Sequence, residues 1–323
     1  MNRFELVRAQ STQQARELLA EKPGSVAKAG GIDLLDHLKE HLLEPPRLVD
    51  LKTIPGLAAI GVDKDGTLRI GALATLAQVA GHRAVRANHP ALARACGEAA
   101  SPQIRNVATI GGNLLQRPRC WYYRLESYKC FKKGGDVCFA VAGENRYHAI
   151  FGSGPAFVPH PSNAAVPLVA YGASFVIDGP TGGRVVAAGD FFLLPSPDPT
   201  RENVLQPDEL LKEIRVPSAA GWKSSYYEVR ERAAFDWPLA STAIAIQSSG
   251  GVVREARVVL GQVATIPWRS AAAEQALVGN AVNAASAEAA GRAAVEGAQP
   301  MSDNGYKLDL VATLVRRTVA SLA

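Results

Sequence analysis

The chain has 323 residues, of which 47% are hydrophobic and 20% charged, a composition typical of a globular protein with about two domains. Its net charge of +5 is spread along the sequence, so we expect no nucleic-acid partner, and its four cysteines are too few for a disulfide scaffold. We find neither a signal-peptide core nor an apolar run of membrane-spanning length, and therefore expect no membrane partner and a cytoplasmic location, although a partner's signal could export the protein.

The first fifty residues predict an alternating unit of strands and helices, which is typical of an α/β layer. In chain order the predicted elements are a strand at 3–8, a helix over 11–20, a strand at 26–29, a helix over 33–40 and a strand at 47–50. Ser11 is a suitable N-cap for the first helix. The second strand runs directly into the pair Gly30-Gly31.

The middle of the chain predicts more strands and helices, interrupted by one irregular segment. The predicted elements are a hairpin of 57–62 with 67–70, helices over 75–79, 90–99 and 164–173, and strands at 174–177 and 212–216. Residues 117–160 show no apolar periodicity and hold three of the four cysteines. Long segments of this kind are usually functional or disordered, and the aromatic content of this one argues against disorder.

The segment 217–221, PSAAG, predicts a linker to a second domain. The elements predicted beyond it are strands at 225–230, 243–247 and 257–260 and helices over 271–277, 284–295 and 308–322. Because these helices follow the strands as a group, we expect an α+β fold.

Two glycine pairs are candidate phosphate-binding turns. Gly30-Gly31 lies between a predicted strand and a predicted helix, and Gly111-Gly112 lies between the short polar residues Thr109 and Asn113. Glycine lets backbone N–H groups approach a ligand closely, and a helix N-terminus favours an anion. Neither turn has the GxGxxG spacing of a dinucleotide fingerprint. Each alone is better explained by an ordinary turn, but together they suggest a phosphate group held from two sides.

The order of motifs along the chain is similar to that of a known family. The motifs are KAGGIDLL at 28–35, SPQIRNVATIGGNL at 101–114, HPSN at 160–163, Glu231-Arg232 with Phe235-Asp236-Trp237, and Gly305-Tyr306-Lys307. They resemble the FAD-binding medium subunit of the molybdenum hydroxylases, the family of xanthine dehydrogenase and carbon monoxide dehydrogenase. The resemblance implies a two-part FAD-binding domain over 1–216, with parts 1–55 and 56–216, the linker 217–221, and a smaller α+β domain over 222–323.

The resemblance also implies which residues contact the cofactor. Those expected to wrap the FAD pyrophosphate are Lys28, Ala29, Gly30, Gly31, Ile32, Asp33, Leu34 and Leu35, and those expected to close on it are Thr109, Ile110, Gly111, Gly112 and Asn113. Ser101 and Arg105 would lie near the flavin end, and Leu210 would pack beside the cofactor. Asn163 stands where the family usually has Asp, and Glu228 stands where many relatives have Lys.

The irregular segment 117–160 resembles an insert that carries a [4Fe-4S] cluster in aldehyde oxidoreductases and 4-hydroxybenzoyl-CoA reductases. Cys120, Cys130 and Cys138 are the candidate ligands, with nine and seven residues between them. A cluster of this type normally has four thiolate ligands, and the segment contains only these three cysteines. The insert therefore has three interpretations: a cluster completed by His148 or His160, a decayed site with free thiols, or a zinc site.

Cys96 lies in an apolar helical context and is predicted to be a core thiol. Trp237 has two interpretations, as a residue lying against the flavin or as part of the core.

By this resemblance the chain is an FAD-containing electron-transfer subunit of a heterotrimeric oxidoreductase. Its expected partners are a molybdopterin-containing large subunit, a small subunit with two [2Fe-2S] clusters and an external electron acceptor. One alternative is a scaffold subunit that has lost FAD or its iron–sulfur cluster. Another is a single-chain flavin oxidase, although the chain is short for one with a large substrate domain. No catalytic side chain is required in the electron-transfer subunit, because the cofactor carries the chemistry.

Overall fold

The computed structural model describes residues 1–152, 154–232 and 235–323, so that residue 153 of the predicted insert and residues 233–234 lie outside the description. Three β-sheets are combined with helices packed against them, and the predicted α+β class is confirmed. None of the helices in the described residues is both long and apolar enough to cross a membrane.

The N-terminal unit is a three-stranded parallel sheet with strand order β1-β3-β2. Its elements are β1 (Glu5–Arg8), α1 (Thr12–Glu21), β2 (Val26–Lys28), α2 (Ile32–Lys39) and β3 (Arg47–Asp50). Ser11 caps α1 by accepting a hydrogen bond from the backbone N–H of Gln14 at 3.1 Å. All five elements agree with the sequence pattern to within two residues at each end.

A second sheet is antiparallel, with strand order β4-β5-β8-β6-β7. Its strands are β4 (Ile60–Val62), β5 (Leu68–Gly71), β6 (Ser174–Gly179), β7 (Gly182–Ala187) and β8 (Leu210–Val216). The helices between or beside them are α3 (Leu76–Gly81), α4 (Arg83–Asn88), α5 (Pro90–Glu98), α6 (Pro102–Arg105), α7 (Ile110–Leu114), α8 (Trp121–Arg124), α9 (Ala165–Ala170) and α10 (Ala188–Phe191). The helices that the sequence did not predict are α4, α6, α7, α8 and α10. Each is shorter than two turns, which is too short to show a hydrophobic period.

The predicted insert has local order. It contains α8 and a 3₁₀ turn at Phe131–Lys133, and its aromatic side chains pack on one another. The ring of Tyr122 stacks on Phe139 with centroids 5.9 Å apart and meets Tyr128 edge-on at 5.1 Å. The expectation that the aromatic content orders this segment therefore agrees with the structure.

The C-terminal unit is a four-stranded antiparallel sheet with strand order β12-β11-β10-β9, packed against three helices. Its elements are β9 (Trp222–Val229), β10 (Ala240–Ser249), β11 (Val252–Gly261), β12 (Trp268–Arg269), α11 (Ala271–Leu277), α12 (Ala284–Ala293) and α13 (Lys307–Ala320). Residues 217–221 connect β8 to β9. Buried side chains Tyr226, Ala243 and Val259 belong to the same core as those of the antiparallel sheet that precedes the connection.

Candidate functional site

A cleft of about 790 Å³ opens where the N-terminal sheet, the start of α7, strand β8 and residues 235–237 meet. Its size is that of a small-molecule or cofactor site. The predicted cofactor-binding residues in its wall are Ala29, Gly30, Gly31, Ile32, Asp33, Leu34, Thr109, Gly111, Gly112, Asn113, Asn163 and Leu210. The predicted residues outside its wall are Lys28, Leu35, Ser101, Arg105, Ile110 and Glu228.

The first glycine turn is shaped by two different constraints. A Cβ atom on Gly30 would overlap the carbonyl oxygen of Val107, so this position has no room for a side chain. Gly31 has a φ of +81°, a left-handed conformation that side chains disfavour. Gly31 is also the N-cap of α2, and no described side chain caps that helix end. Its first N–H groups and its positive dipole end are therefore available to an anion at the cleft.

The second glycine turn forms the start of α7. The Thr109 hydroxyl caps this helix by accepting a hydrogen bond from the N–H of Gly112 at 3.0 Å. A Cβ atom on Gly111 would lie 2.8 Å from the carbonyl oxygen of Ala72, so the turn packs tightly on the chain after β5. The Asn113 Oδ1 atom accepts hydrogen bonds from Ser162 Oγ at 2.7 Å and from the N–H of Ala164. Asn113 thus holds the HPSN segment against the glycine turn.

Asp33 joins the first glycine turn to the insert. Its Oδ1 atom lies 2.9 Å from Arg119 and 2.8 Å from Arg124, and its Oδ2 atom accepts the N–H of Arg117 at 2.7 Å. Burial alone would raise the pKa of Asp33, but the two arginines outweigh burial and the pKa is lowered. Its carboxylate is therefore ion-paired and hydrogen-bonded within the protein. The resemblance had assigned Asp33 only to the segment that wraps the pyrophosphate.

The cleft wall also contains two arginines and one tryptophan, of which only the tryptophan belongs to a recognised motif. These residues are Arg117, Arg119 and Trp237. The guanidinium of Arg119 lies 4.1 Å from the centroid of the Trp237 ring, a cation–π distance. Burial lowers the pKa of Arg119 to about 10, which leaves it charged at neutral pH. For the two arginines, the signal in the sequence was their position a few residues after the second glycine turn.

Ser101 and Arg105 stand behind the wall rather than in it. Ser101 caps α6 by accepting the N–H of Ile104 at 3.3 Å. Arg105 donates from Nη1 to the carbonyl oxygens of Ala99 and Ala100 at 2.7 and 3.3 Å. These bonds stabilise the turn at Ala99-Ala100, which does line the cleft. Their support of the cleft is indirect.

Three of the four remaining predicted residues outside the wall have structural partners, whereas Leu35 is an exposed apolar side chain. The ammonium of Lys28 lies 3.6 Å from Asp50, and Ile110 is fully buried in the core. Glu228 is hydrogen-bonded to Asn163, which does line the cleft.

The three insert cysteines line one small cavity of about 20 Å³ together with His148. The Nε2 atom of His148 lies 3.2 Å from the Sγ atom of Cys120. Burial raises the pKa of the Cys120 thiol to about 12. Within residues 1–152, 154–232 and 235–323, no group of three or more His, Cys, Asp or Glu side chains is arranged to hold a single metal ion.

His160 and Cys96 do not line the cysteine cavity. The ring of His160 is buried edge-on against Phe192, with centroids 4.7 Å apart. Cys96 is fully buried in the core, as its apolar context predicted. Tyr123, by contrast, lines both the cysteine cavity and the large cleft. The two cavities are therefore neighbours that share one aromatic side chain.

Comparisons with known proteins cover nearly the whole chain. The family "FAD binding domain in molybdopterin dehydrogenase" matches residues 2–219, and the family "CO dehydrogenase flavoprotein C-terminal domain" matches residues 225–322. The aldehyde oxidoreductase FAD-binding subunit PaoB of Escherichia coli (strain K12) is 36% identical, across 100% of this chain and 98% of its own. The carbon monoxide dehydrogenase medium chain of Hydrogenophaga pseudoflava is 30% identical, across 98% of this chain and 96% of its own.

Solved structures show the same similarity. A structure of carbon monoxide dehydrogenase from Hydrogenophaga pseudoflava, which lacks the Mo-pyranopterin moiety of the molybdenum cofactor, superposes with a TM-score of 0.78. It is 29% identical and covers 99% of this chain and 97% of its own.

Proposed function

Because the chain belongs to the family of FAD-binding medium subunits of the molybdenum hydroxylases, we propose that it binds FAD in the large cleft and passes electrons to an external acceptor. The observation that carries this proposal is the contact between the first glycine turn and the chain that leads into the second. Gly30 and Val107 meet backbone to backbone at the cleft, beside the uncapped N-terminus of α2. Such a cradle suits the pyrophosphate of a dinucleotide.

Each wall of the cleft has a distinct part in this function. The N–H groups at the start of α2 would bind the pyrophosphate, and Arg119 would add positive charge beside it. Trp237 and Leu210 supply apolar surface for the flavin. When bound, FAD accepts electrons singly and releases them as a pair. No residue of this chain needs to act as a general base, since the protein supplies binding, orientation and electrostatics.

We propose that the partners are a molybdopterin-containing large subunit and a small subunit with two [2Fe-2S] clusters. Support comes from the relatives, which are named medium chains or FAD-binding subunits and match this chain over nearly their full length. Electrons would enter this chain from the small subunit one at a time. We also propose the domain division at residues 217–221, between β8 and β9, and a cytoplasmic location.

We further propose that the insert holds a [4Fe-4S] cluster bound by Cys120, Cys130, Cys138 and His148. The four side chains line one cavity, whereas His160 packs elsewhere. Histidine replaces cysteine as an iron ligand in some iron–sulfur proteins. The cavity of about 20 Å³ would widen as the cluster is inserted.

The experiment is an absorption spectrum with iron and acid-labile sulfide analysis of the complex purified without oxygen. We expect one FAD and about eight iron atoms per trimer, four of them from the small subunit. A result of one FAD and about four iron atoms would refute the cluster proposal and leave the flavin proposal standing. A complex without flavin would refute the central proposal and favour a scaffold.

Substitutions test the ligand set directly. Cys130→Ser and His148→Ala should each lower the iron content by about four atoms per trimer, and His148→Cys should retain it. Cys96→Ala is the matched control, because that thiol lies in the core and outside the insert. Retention of all iron in His148→Ala, or its loss in His160→Ala instead, would show that His148 is not a ligand.

A further inference from the structure

Asn163 and Glu228 come from opposite sides of the 217–221 connection and meet beside the cleft. Asn163 precedes α9 and lines the cleft, whereas Glu228 lies in β9 behind it. The Nδ2 atom of Asn163 donates a hydrogen bond of 2.6 Å to the Oε2 atom of Glu228. A residue of the C-terminal sheet thus contacts a wall residue of the cleft directly.

The carboxylate of Glu228 is buried and firmly held. Its side chain is 1% exposed, and its Oε2 atom also accepts a hydrogen bond of 2.5 Å from the hydroxyl of Tyr226, which is fully buried. Arg230 Nη2 lies 2.9 Å from the other oxygen, at an ion-pair distance without the angles of a hydrogen bond. Burial raises the pKa of Glu228, and Glu98 adds to this, although Tyr226, Arg230 and Asn163 oppose it.

This arrangement determines which end of the Asn163 amide faces Glu228. The Oε2 atom of Glu228 accepts hydrogen bonds from both Tyr226 and Asn163, so the NH₂ group of Asn163 points towards it. The Oδ1 atom has no hydrogen-bond partner among the described residues. We infer that Glu228 is a positioning residue, which holds the Asn163 amide with its Oδ1 oxygen presented to the cleft as a hydrogen-bond acceptor for FAD. This inference rests on the proposed function.

The same arrangement links the two positions at which the resemblance implies a departure from the family pattern. With Asp at 163 and Lys at 228, a carboxylate would face the cleft with a cationic donor behind it. With Asn163 and Glu228, an amide oxygen faces the cleft with an anionic acceptor behind it. In both pairs the two side chains bond to each other, and one oxygen remains free to bind the ligand. Asn163→Asp alone would place two carboxylates against each other. Glu228→Lys alone would turn the Asn163 oxygen towards the lysine and its NH₂ group towards the cleft.

The test is a reciprocal exchange in the purified complex, with the dissociation constant of FAD and the flavin absorption spectrum as readouts. Asn163→Asp and Glu228→Lys should each weaken FAD binding by at least about tenfold. The double variant should bind FAD more tightly than either single variant but less tightly than the wild type, because the new lysine lies beside Arg230. Glu274→Gln is the matched control, because Glu274 is also a buried, arginine-paired carboxylate of the C-terminal unit but does not line the cleft.

Two outcomes would overturn the inference: unchanged FAD affinity in both single variants, or no recovery in the double variant. If a single variant does not fold, as judged by its thermal unfolding, Glu228→Gln provides the test. It removes the charge but retains an acceptor for Tyr226, and it permits the Asn163 amide to turn over. Its affinity for FAD should fall while its unfolding midpoint does not, and unchanged affinity would refute the inference. Failure of the wild type to bind FAD would instead refute the proposed function.

Discussion

Replacement of Gly30 by alanine tests the contact between the first glycine turn and the residues that lead into the second. The added Cβ would overlap the Val107 carbonyl oxygen and lie 3.0 Å from its carbon and 3.3 Å from the Cα of Ala108. All three are backbone atoms, which cannot rotate away, so the turns must separate by on the order of 1 Å. Overpacking of this kind costs about 1–3 kcal/mol, and if the bound state carries that cost the Kd for FAD rises about 5- to 150-fold.

The assay is titration of the flavin-depleted complex with FAD, followed by fluorescence. Gly61→Ala is the control, because an added Cβ there has no atom within 4 Å and the residue lies in a strand. Gly31→Ala separates steric overlap from backbone strain, since its penalty comes from φ +81° rather than from a collision with backbone. The reasoning is refuted if Gly30→Ala binds FAD as tightly as Gly61→Ala does.

Three further predictions concern charge. Arg119→Ala should weaken FAD binding about tenfold, measured by the same titration, because it removes positive charge and the stacking partner of Trp237; an unchanged Kd would exclude Arg119 from the site. Because the pKa of Asp33 is lowered in the folded protein, its ion pairs stabilise the fold at pH values above its ordinary pKa of 3.8. This stabilisation is lost as the pH falls from 3.8 through the lower pKa of the folded state. Below pH 3.8 the free energy of unfolding should therefore fall less steeply in Asp33→Asn than in the wild type. Equal falls in the two proteins would contradict the stabilising role of the Asp33 ion pairs. Burial lowers the pKa of Lys307 from 10.5 to about 7. Between these pH values the unfolded chain binds one proton more than the folded chain. The stability of the wild type should therefore rise with pH across that range relative to that of Lys307→Met. Parallel stability curves for the two proteins would show that Lys307 does not titrate there.

The sequence predicts local structure well where the signal is itself local. The strand, glycine pair and helix around Gly30-Gly31 lie within about fifteen residues, and the structure agrees with them. Ser11 is a correct N-cap for the same reason, since a cap and its helix are adjacent in sequence. The short helices α6 and α7 escaped prediction because four or five residues cannot display a hydrophobic period.

The parts of the site that could not be predicted depend on contacts across long separations. Arg119 meets Trp237 across more than one hundred residues, and neither residue lies in a pattern that names the other. Asn163 and Glu228 were recognised as separate departures from a family pattern. Only the fold shows that they are bonded to each other, because β9 runs behind the HPSN segment. Sequence reasoning gave candidate residues here but not their pairing.

The core that continues across residues 217–221 has a thermodynamic consequence. Tyr226, Ala243 and Val259 pack with the core of the preceding sheet, and Phe235 and Trp237 complete the cleft wall. A ligand that occupies the cleft therefore contributes its binding free energy to both sides of the connection. Heat should melt the two units in one cooperative transition, and a fragment that ends at residue 216 would lack part of its own binding site. The stability of each unit would then depend on the other through this shared core and through any ligand in the cleft.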